Sequence, residues 1–169
     1  MDQPEEALRT SSLAALMRAA RSTYAEAVRG PLAESGFEDI PRDGVFALSA
    51  IGLTEVSGGQ LGRWLGVSKQ AVSQLLDTLV LRGYVERSID PADRRRMRLT
   101  LTDRGTQVAA LCRKAVERVE HRVAEIVGAA YVEHTRATLL ALIELRAQLF
   151  DPTSKGLQSD VQFRSAHRR

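Results

Sequence analysis

The spacing of apolar residues sets the first expectations for this chain. From Glu5 to Val28 they fall at Leu8, Leu13, Leu16, Ala20, Tyr24 and Val28, mostly three or four apart, which predicts a long amphipathic helix. The stretch RGPLAESGFEDIPRDG then brings Gly30, Pro31, Gly36 and Pro41, and predicts a break. Val45 to Leu53, VFALSAIGL, is apolar around most of its circumference and suits a short buried helix.

From Ser57 the texture changes. Ser57 to Gly59 reads as a loop, Gln60 to Leu65 as a short helix stopped at Gly66, and Ser68 as the N-cap of the next helix, because its hydroxyl can accept from the free amides of a first turn. Only Gly66 and Val67 separate the two helices, so they must cross sharply, as in a helix–turn–helix. Laid on a wheel at roughly 100° per residue, Ser68 to Arg82 gathers Val72, Leu75, Leu76 and Leu79 on one face and Gln70, Ser73, Gln74 and Asp77 on the opposite one. Gly83 is the expected C-cap.

Two short runs with strand character follow, YVERSI and MRLTLT, the second alternating Met97, Leu99 and Leu101 against Arg98 and Thr100. Between them Asp90, Pro91 and Asp93 favour a turn, and Arg94, Arg95 and Arg96 crowd three positive charges onto it. A hairpin after a helix–turn–helix is a winged arrangement. Thr102 or Asp103 can cap a further helix with Val108, Leu111, Ala115, Val119, Val123 and Ile126 on one stripe. Gly128 interrupts it, and a last helix carries Leu139, Leu142, Ile143, Leu145 and Leu149. Asp151 to Arg169 is polar and aperiodic, and is expected to be a disordered basic tail.

Composition agrees with a mainly α fold carrying a small β-hairpin wing. The 169 residues suit one domain, 44% of them are hydrophobic, and the low aromatic share of 5% beside abundant Leu, Ala and Val favours helix packed on helix. No apolar run approaches the roughly 18 to 20 residues of a membrane span, and the start MDQPEEALRT is acidic where a signal peptide would be basic, so a cytoplasmic protein without a membrane partner is expected. Cys112 is the only cysteine, which excludes an intrachain disulfide framework and a Cys-rich metal site. The net charge of +3 is uneven: Ser57 to Arg104 holds nine Lys/Arg against five Asp/Glu, and the rest 15 against 16.

The run LGVSKQAVSQLLDTLVLRGYVER, followed by DPADRR and then LTLTDRG, resembles the MarR family of bacterial winged helix–turn–helix regulators. The likeness extends over roughly Leu8 to Phe150, while Leu61 to Gly105 carries the motif. It implies a homodimer, more often a repressor, whose recognition helices enter the major groove and whose wings reach the flanking minor groove of double-stranded DNA. It implies an organisation of one domain over residues 5–150, with 5–30 and 103–150 as dimerisation helices around a winged helix–turn–helix at 42–102. Relatives often respond to a small, commonly phenolic effector, for which Tyr24 is a conceivable lining residue and packing the plainer role.

The residue chemistry of the expected DNA surface divides into two parts. Ser68, Lys69 and the first-turn amides suit phosphate, whereas Gln70, Ser73 and Gln74 suit base edges, since Gln pairs bidentately with adenine and Ser serves several bases. A polar helix face is most often merely solvated, but such faces alternate Glu with Lys, and this one is neutral and short-chained. Asp77 would repel phosphate, and is read as a partner for a nearby Arg or as an acceptor from cytosine. In the wing, Arg94 and Arg95 fall on the family's two arginine positions, where Arg fits a narrow minor groove and Asp93 can orient one of them. Arg96 goes beyond the usual pattern.

Other residues carry blander readings. Trp64 beside Leu61 and Leu65 suggests packing, Gly62 close approach of two helices, and Cys112 next to Leu111 a buried inert thiol. His121, His134 and His167 lack metal-ligand spacing, and no nucleophile–base pair, phosphate-binding loop or carboxylate pair stands out, so neither cofactor nor enzymatic activity is expected. The alternatives to a sequence-specific regulator are a nonspecific architectural DNA binder and a winged-helix module for protein interaction.

Overall fold

The computed structural model describes residues 10–89 and 97–150. The expected tail at 151–169 and the wing tip with Asp93, Arg94, Arg95 and Arg96 lie outside the described residues.

The first helix, α1 (Leu13–Glu34), starts where Ser12 caps it, with the Ala15 amide donating to Ser12 Oγ at 3.3 Å. Residues 10–12 are not helical, so the continuous helix expected from Glu5 is interrupted there, and the expected start itself, with Leu8, lies outside the described residues. The break expected at Gly30 and Pro31 is also overturned: both lie inside α1. Pro31 lacks an amide to donate, at a typical cost of about 3 kcal/mol in a helix interior. What holds the chain helical is burial, because the two core residues of α1, Val28 and Leu32, flank the proline. The helix ends one turn later, where the Gly36 and Phe37 amides donate to Ala33 O and Leu32 O at 3.0 and 2.8 Å.

Helix α2 (Gly44–Leu53) is buried at Gly44, Ala47, Leu48, Ala50 and Ile51, as its all-round apolar character predicts. Helix α3 spans Gly58–Leu65, so the loop expected at Ser57–Gly59 is in fact its cap and first turn. A reciprocal pair explains this: Gln60 N donates to Ser57 Oγ at 3.2 Å and Ser57 N to Gln60 Oε1 at 2.9 Å, which satisfies two amides and outweighs the low helix propensity of two glycines. Gly66, at φ 74°, then reverses the chain in the left-handed region, where a side chain is strained.

Helix α4 (Lys69–Leu81) begins at the expected cap, with Ala71 N donating to Ser68 Oγ at 3.2 Å. Its apolar edge beds onto glycines of its neighbours. A Cβ added to Gly62 would lie 3.1 Å from Val72 Cγ2, one on Gly58 3.5 Å from Leu76 Cδ1, and one on Gly44 3.2 Å from Leu79 Cδ2. The close approach expected at Gly62 is thus present. Gly83, at φ 70°, closes α4 while Tyr84 N donates back to Leu79 O at 2.9 Å.

Strands β1 (Val85–Ile89) and β2 (Met97–Leu101) pair antiparallel, with Val85 opposite Leu101, Arg87 opposite Leu99 and Ile89 opposite Met97. Val85 and Leu99 join the core under α4, while the alternate positions face outward. Thr102 is the residue that caps α5 (Asp103–Val127), accepting from Gly105 N at 3.0 Å. The N-terminal half of its stripe, Val108, Leu111 and Ala115, packs on the core, whereas Val123 and Ile126 are exposed.

By its contacts the chain divides after Ile126 into two compact units. The second contains α6 (Ala129–Phe150), whose described side chains include no buried residue. Its stripe of Leu139, Leu142, Ile143, Leu145 and Leu149 is exposed. Among the described residues no single helix is long and apolar enough to cross a membrane.

The tightest passage in the fold is at Gly105, where a Cβ would lie 2.1 Å from the Tyr84 carbonyl oxygen. Because that obstacle is backbone, no rotamer change relieves it. Gly105→Ala is expected to lower unfolding stability by about 3 kcal/mol, the upper part of the usual overpacking range, read as an earlier urea midpoint. An unchanged midpoint would show that α5 can lift from Tyr84 freely.

Candidate nucleic-acid interface

The turn between α3 and α4 is fixed by backbone bonds, with Gly66 N and Val67 N both donating to Gly62 O at 2.9 and 3.1 Å. With the Val72, Leu76 and Leu79 edge inward, Ser68, Lys69, Gln70, Ser73, Gln74 and Asp77 are all exposed along the other side of α4. Ser68 accepts one first-turn amide, and the other amides of that turn have no intrahelical acceptor. The result is a protruding helix start with one Lys charge, followed by a neutral amide and hydroxyl face.

Asp77 ends this face, and of its two expected roles the pairing with a nearby Arg is the one present. Arg87 Nη1 donates to Asp77 Oδ1 at 2.6 Å, so the carboxylate is partnered from β1. The pair is partly exposed and stabilises the fold only modestly, but it ties the wing to the helix it flanks. A second pair, Arg98 Nη2 to Glu55 Oε1 at 2.5 Å, ties β2 to the segment between α2 and α3. The register brings Ile89 and Met97 together, and residues 90–96 join them in sequence. Arg94, Arg95 and Arg96 belong to that segment.

Of the residues given blander readings, Cys112 is buried, and its burial pushes the thiol up to about 11. Trp64 departs from expectation: it is 45% exposed, with much of the indole outside the core. His121 pairs with Glu125 at 3.3 Å on the surface of α5, and His134 meets the Tyr131 ring edge-on. His167 lies outside the described residues, and among those described no group of three His, Cys, Asp or Glu could hold a metal.

One constellation was missed from the sequence. Tyr84, completely buried, donates its hydroxyl to Asp39 Oδ1. Arg104 Nη2 donates both to the Tyr84 hydroxyl at 2.9 Å and to Asp39 Oδ1 at 3.1 Å. The guanidinium also sits 4.6 Å from the Tyr84 ring centroid and 5.5 Å from that of Phe37. The Tyr84 hydroxyl, helped by Arg104, holds the Asp39 carboxyl below its ordinary value, while burial and then Asp39 push the Tyr84 phenol up. The available signal was chemical: a Tyr directly after a helix-ending Gly, once buried, needs a partner for its hydroxyl.

With this geometry in hand, comparison with known proteins is informative. Residues 39–96 match the model of the MarR family. The Exopolysaccharide II synthesis transcriptional activator ExpG of Rhizobium meliloti is 32% identical over 111 residues, covering 64% of this chain and 56% of that protein. The chain thus matches little more than half the length of this curated relative. Among solved structures, a MarR-family transcriptional regulator from a Rhodococcus species superposes with a TM-score of 0.60 at 20% identity, covering 79% of this chain and 98% of that one. Wild-type MarR from E. coli in its apo form gives 0.55 at 22%, covering 78% and 97%. At these identities the structures establish the fold, a MarR winged helix, and the family likeness read from the motif is borne out.

The raised thiol has a measurable consequence. A Cys whose thiol is pushed up from its ordinary value to about 11 is neutral and weakly nucleophilic at pH 8. Native protein is expected to react with a disulfide reagent at pH 8 many-fold slower than urea-unfolded protein. Equal rates would show that Cys112 is open to solvent. The burial of the neutral thiol also favours the fold below the unfolded pKa, a contribution lost as pH rises toward the folded value of about 11.

Proposed function

We propose, from the match of residues 39–96 to the MarR family and the likeness to a curated transcriptional activator, that the chain is a sequence-specific MarR-family regulator acting in the cytoplasm as a homodimer on a pseudo-palindromic operator. The observation that carries this reading is the exposed Gln70, Ser73 and Gln74 face, neutral and rigidly presented by a helix whose other edge is locked into the core. Neutral amides and hydroxyls match base edges in a major groove, and a solvated face has no need of them. Ser68, Lys69 and the first-turn amides take phosphate, and Arg94, Arg95 and Arg96 take the flanking minor groove.

The homodimer rests on the exposed apolar residues of α6. Completing the burial of each is worth on the order of 1 kcal/mol, and a second copy supplies a matching surface. Two recognition helices related by a two-fold axis require a two-fold operator. Repression follows where the operator overlaps the promoter. The same geometry placed upstream serves activation, the role named for the Rhizobium meliloti relative. A small effector would act by binding better to a dimer whose recognition helices are wrongly spaced.

Selection of bound duplexes from a random pool at near-physiological salt is expected to enrich a two-fold motif. Gln70→Ala and Gln74→Ala should each cost about 1–3 kcal/mol on that motif and relax it at one position. Lys69→Ala should weaken motif and random duplex alike and lower the salt slope by about 1. A pool with no enriched motif means nonspecific binding, and unaltered duplex affinity after Arg94→Ala with Arg95→Ala means a protein-interaction module.

A further inference from the structure

The Asp39, Tyr84 and Arg104 cluster stands at a junction of three segments. Asp39 lies between α1 and α2, Tyr84 joins α4 to β1, and Arg104 is in the first turn of α5. This long-range polar link engages three side chains at once and surrounds a phenol that is completely buried. Its hydroxyl donates to one neighbour and accepts from the other, so neither bond can move without the other. Arg104 also covers the Tyr84 and Phe37 rings, which confines its own orientation.

The backbone around the cluster leaves no slack. Thr102 N donates to Tyr84 O at 3.1 Å and Thr102 Oγ1 to Gly83 O at 2.6 Å. Gly105 stands so close to Tyr84 O that not even a methyl fits between them. The C-terminal end of α4 is therefore clamped to the N-terminal turn of α5, and the Asp39 carboxylate extends the clamp to the segment leaving α1. A helix held at its end by one backbone bond and one bond from the Thr102 hydroxyl can still pivot, and the Asp39, Tyr84 and Arg104 side chains, displaced from those bonds, restrain that pivot.

We propose that Asp39, Tyr84 and Arg104 form a positioning node that fixes the angle of the recognition helix α4 to α5, and thereby sets the separation of operator half-sites that the dimer accepts. The inference rests on the dimeric DNA-binding reading above. These residues touch no DNA in it; they act through α4. Removing the Tyr84 hydroxyl leaves every base- and phosphate-facing side chain in place, so contact with one half-site is preserved. Two half-sites engaged together demand a fixed distance between two recognition helices, about one helical turn of DNA, and a looser pivot spreads the tolerated distances.

The test uses full-length protein and duplexes carrying the selected half-site twice at graded spacings, with a single half-site duplex as reference. Wild type is expected to prefer one spacing sharply. Tyr84→Phe should bind the single half-site as wild type does, while its preference for the best spacing over the next falls by roughly five-fold or more, the lower end of ordinary coupling between sites. Asp39→Asn, at an exposed carboxylate that folding does not require to be buried, should give the same broadening if Tyr84→Phe proves unfolded by circular dichroism. A sharp wild-type profile reproduced unchanged by the folded variants overturns the node and leaves the regulator reading intact. A wild type that selects no paired half-sites overturns both.

Discussion

The bedding of α4 on glycines is the constraint from which the rest of the molecule follows. Val72 and Leu79 approach Gly62 and Gly44 so closely that an added Cβ would lie 3.1 and 3.2 Å away, and Leu76 stands in ordinary contact range of Gly58 at 3.5 Å. Close-packed interiors respond to a single added methyl group, so this contact fixes both the depth and the roll of α4. Once the roll is fixed, the outward residues are determined. Gln70, Ser73, Gln74 and Asp77 face solvent because the helix has no other way to lie.

Much of this was legible in the sequence because the signals are local. A cap at Ser68, a two-residue turn, a 3.6-residue period and a terminal Gly83 lie within one short window, and each was found where the pattern placed it. The misread positions share a different cause. Gly30 and Pro31 look like a break, and only the burial of Leu32, supplied by distant residues, keeps the helix going. Gly58 and Gly59 look like a loop, and a reciprocal bond between Ser57 and Gln60 makes them a first turn. In both cases propensity, which is worth about 1 kcal/mol per glycine, lost to an interaction that single-residue preferences do not contain.

The cluster at Tyr84 was hidden for a related reason. Asp39, Tyr84 and Arg104 are spread over 65 residues of chain, and no periodicity connects them. Each alone has an ordinary explanation: an acid in a loop, an aromatic opening a strand, a base in a helix. Their meaning comes from the buried hydroxyl, whose desolvation must be met by partners. A sequence can announce that such a hydroxyl needs satisfying, but it does not say which distant residues satisfy it.

The pairing of Asp77 with Arg87 bears on how affinity and discrimination would be divided in DNA binding. An unpaired carboxylate at the edge of the reading face would oppose phosphate, and a bare Arg beside it would add attraction blind to sequence. Joined at 2.6 Å, the two nearly cancel. What is left on α4 is Lys69 and a neutral face, so in the proposed DNA-bound state the sequence-independent attraction would fall to Lys69 and to the arginines of residues 94–96. Counterion release scales with the number of phosphates neutralised, whereas base readout depends on the geometry of neutral donors and acceptors. Separating the two onto different elements lets each vary without disturbing the other. Under the proposed function, an added arginine such as Arg96 would tighten the hold on DNA while leaving the face proposed to read the bases unchanged.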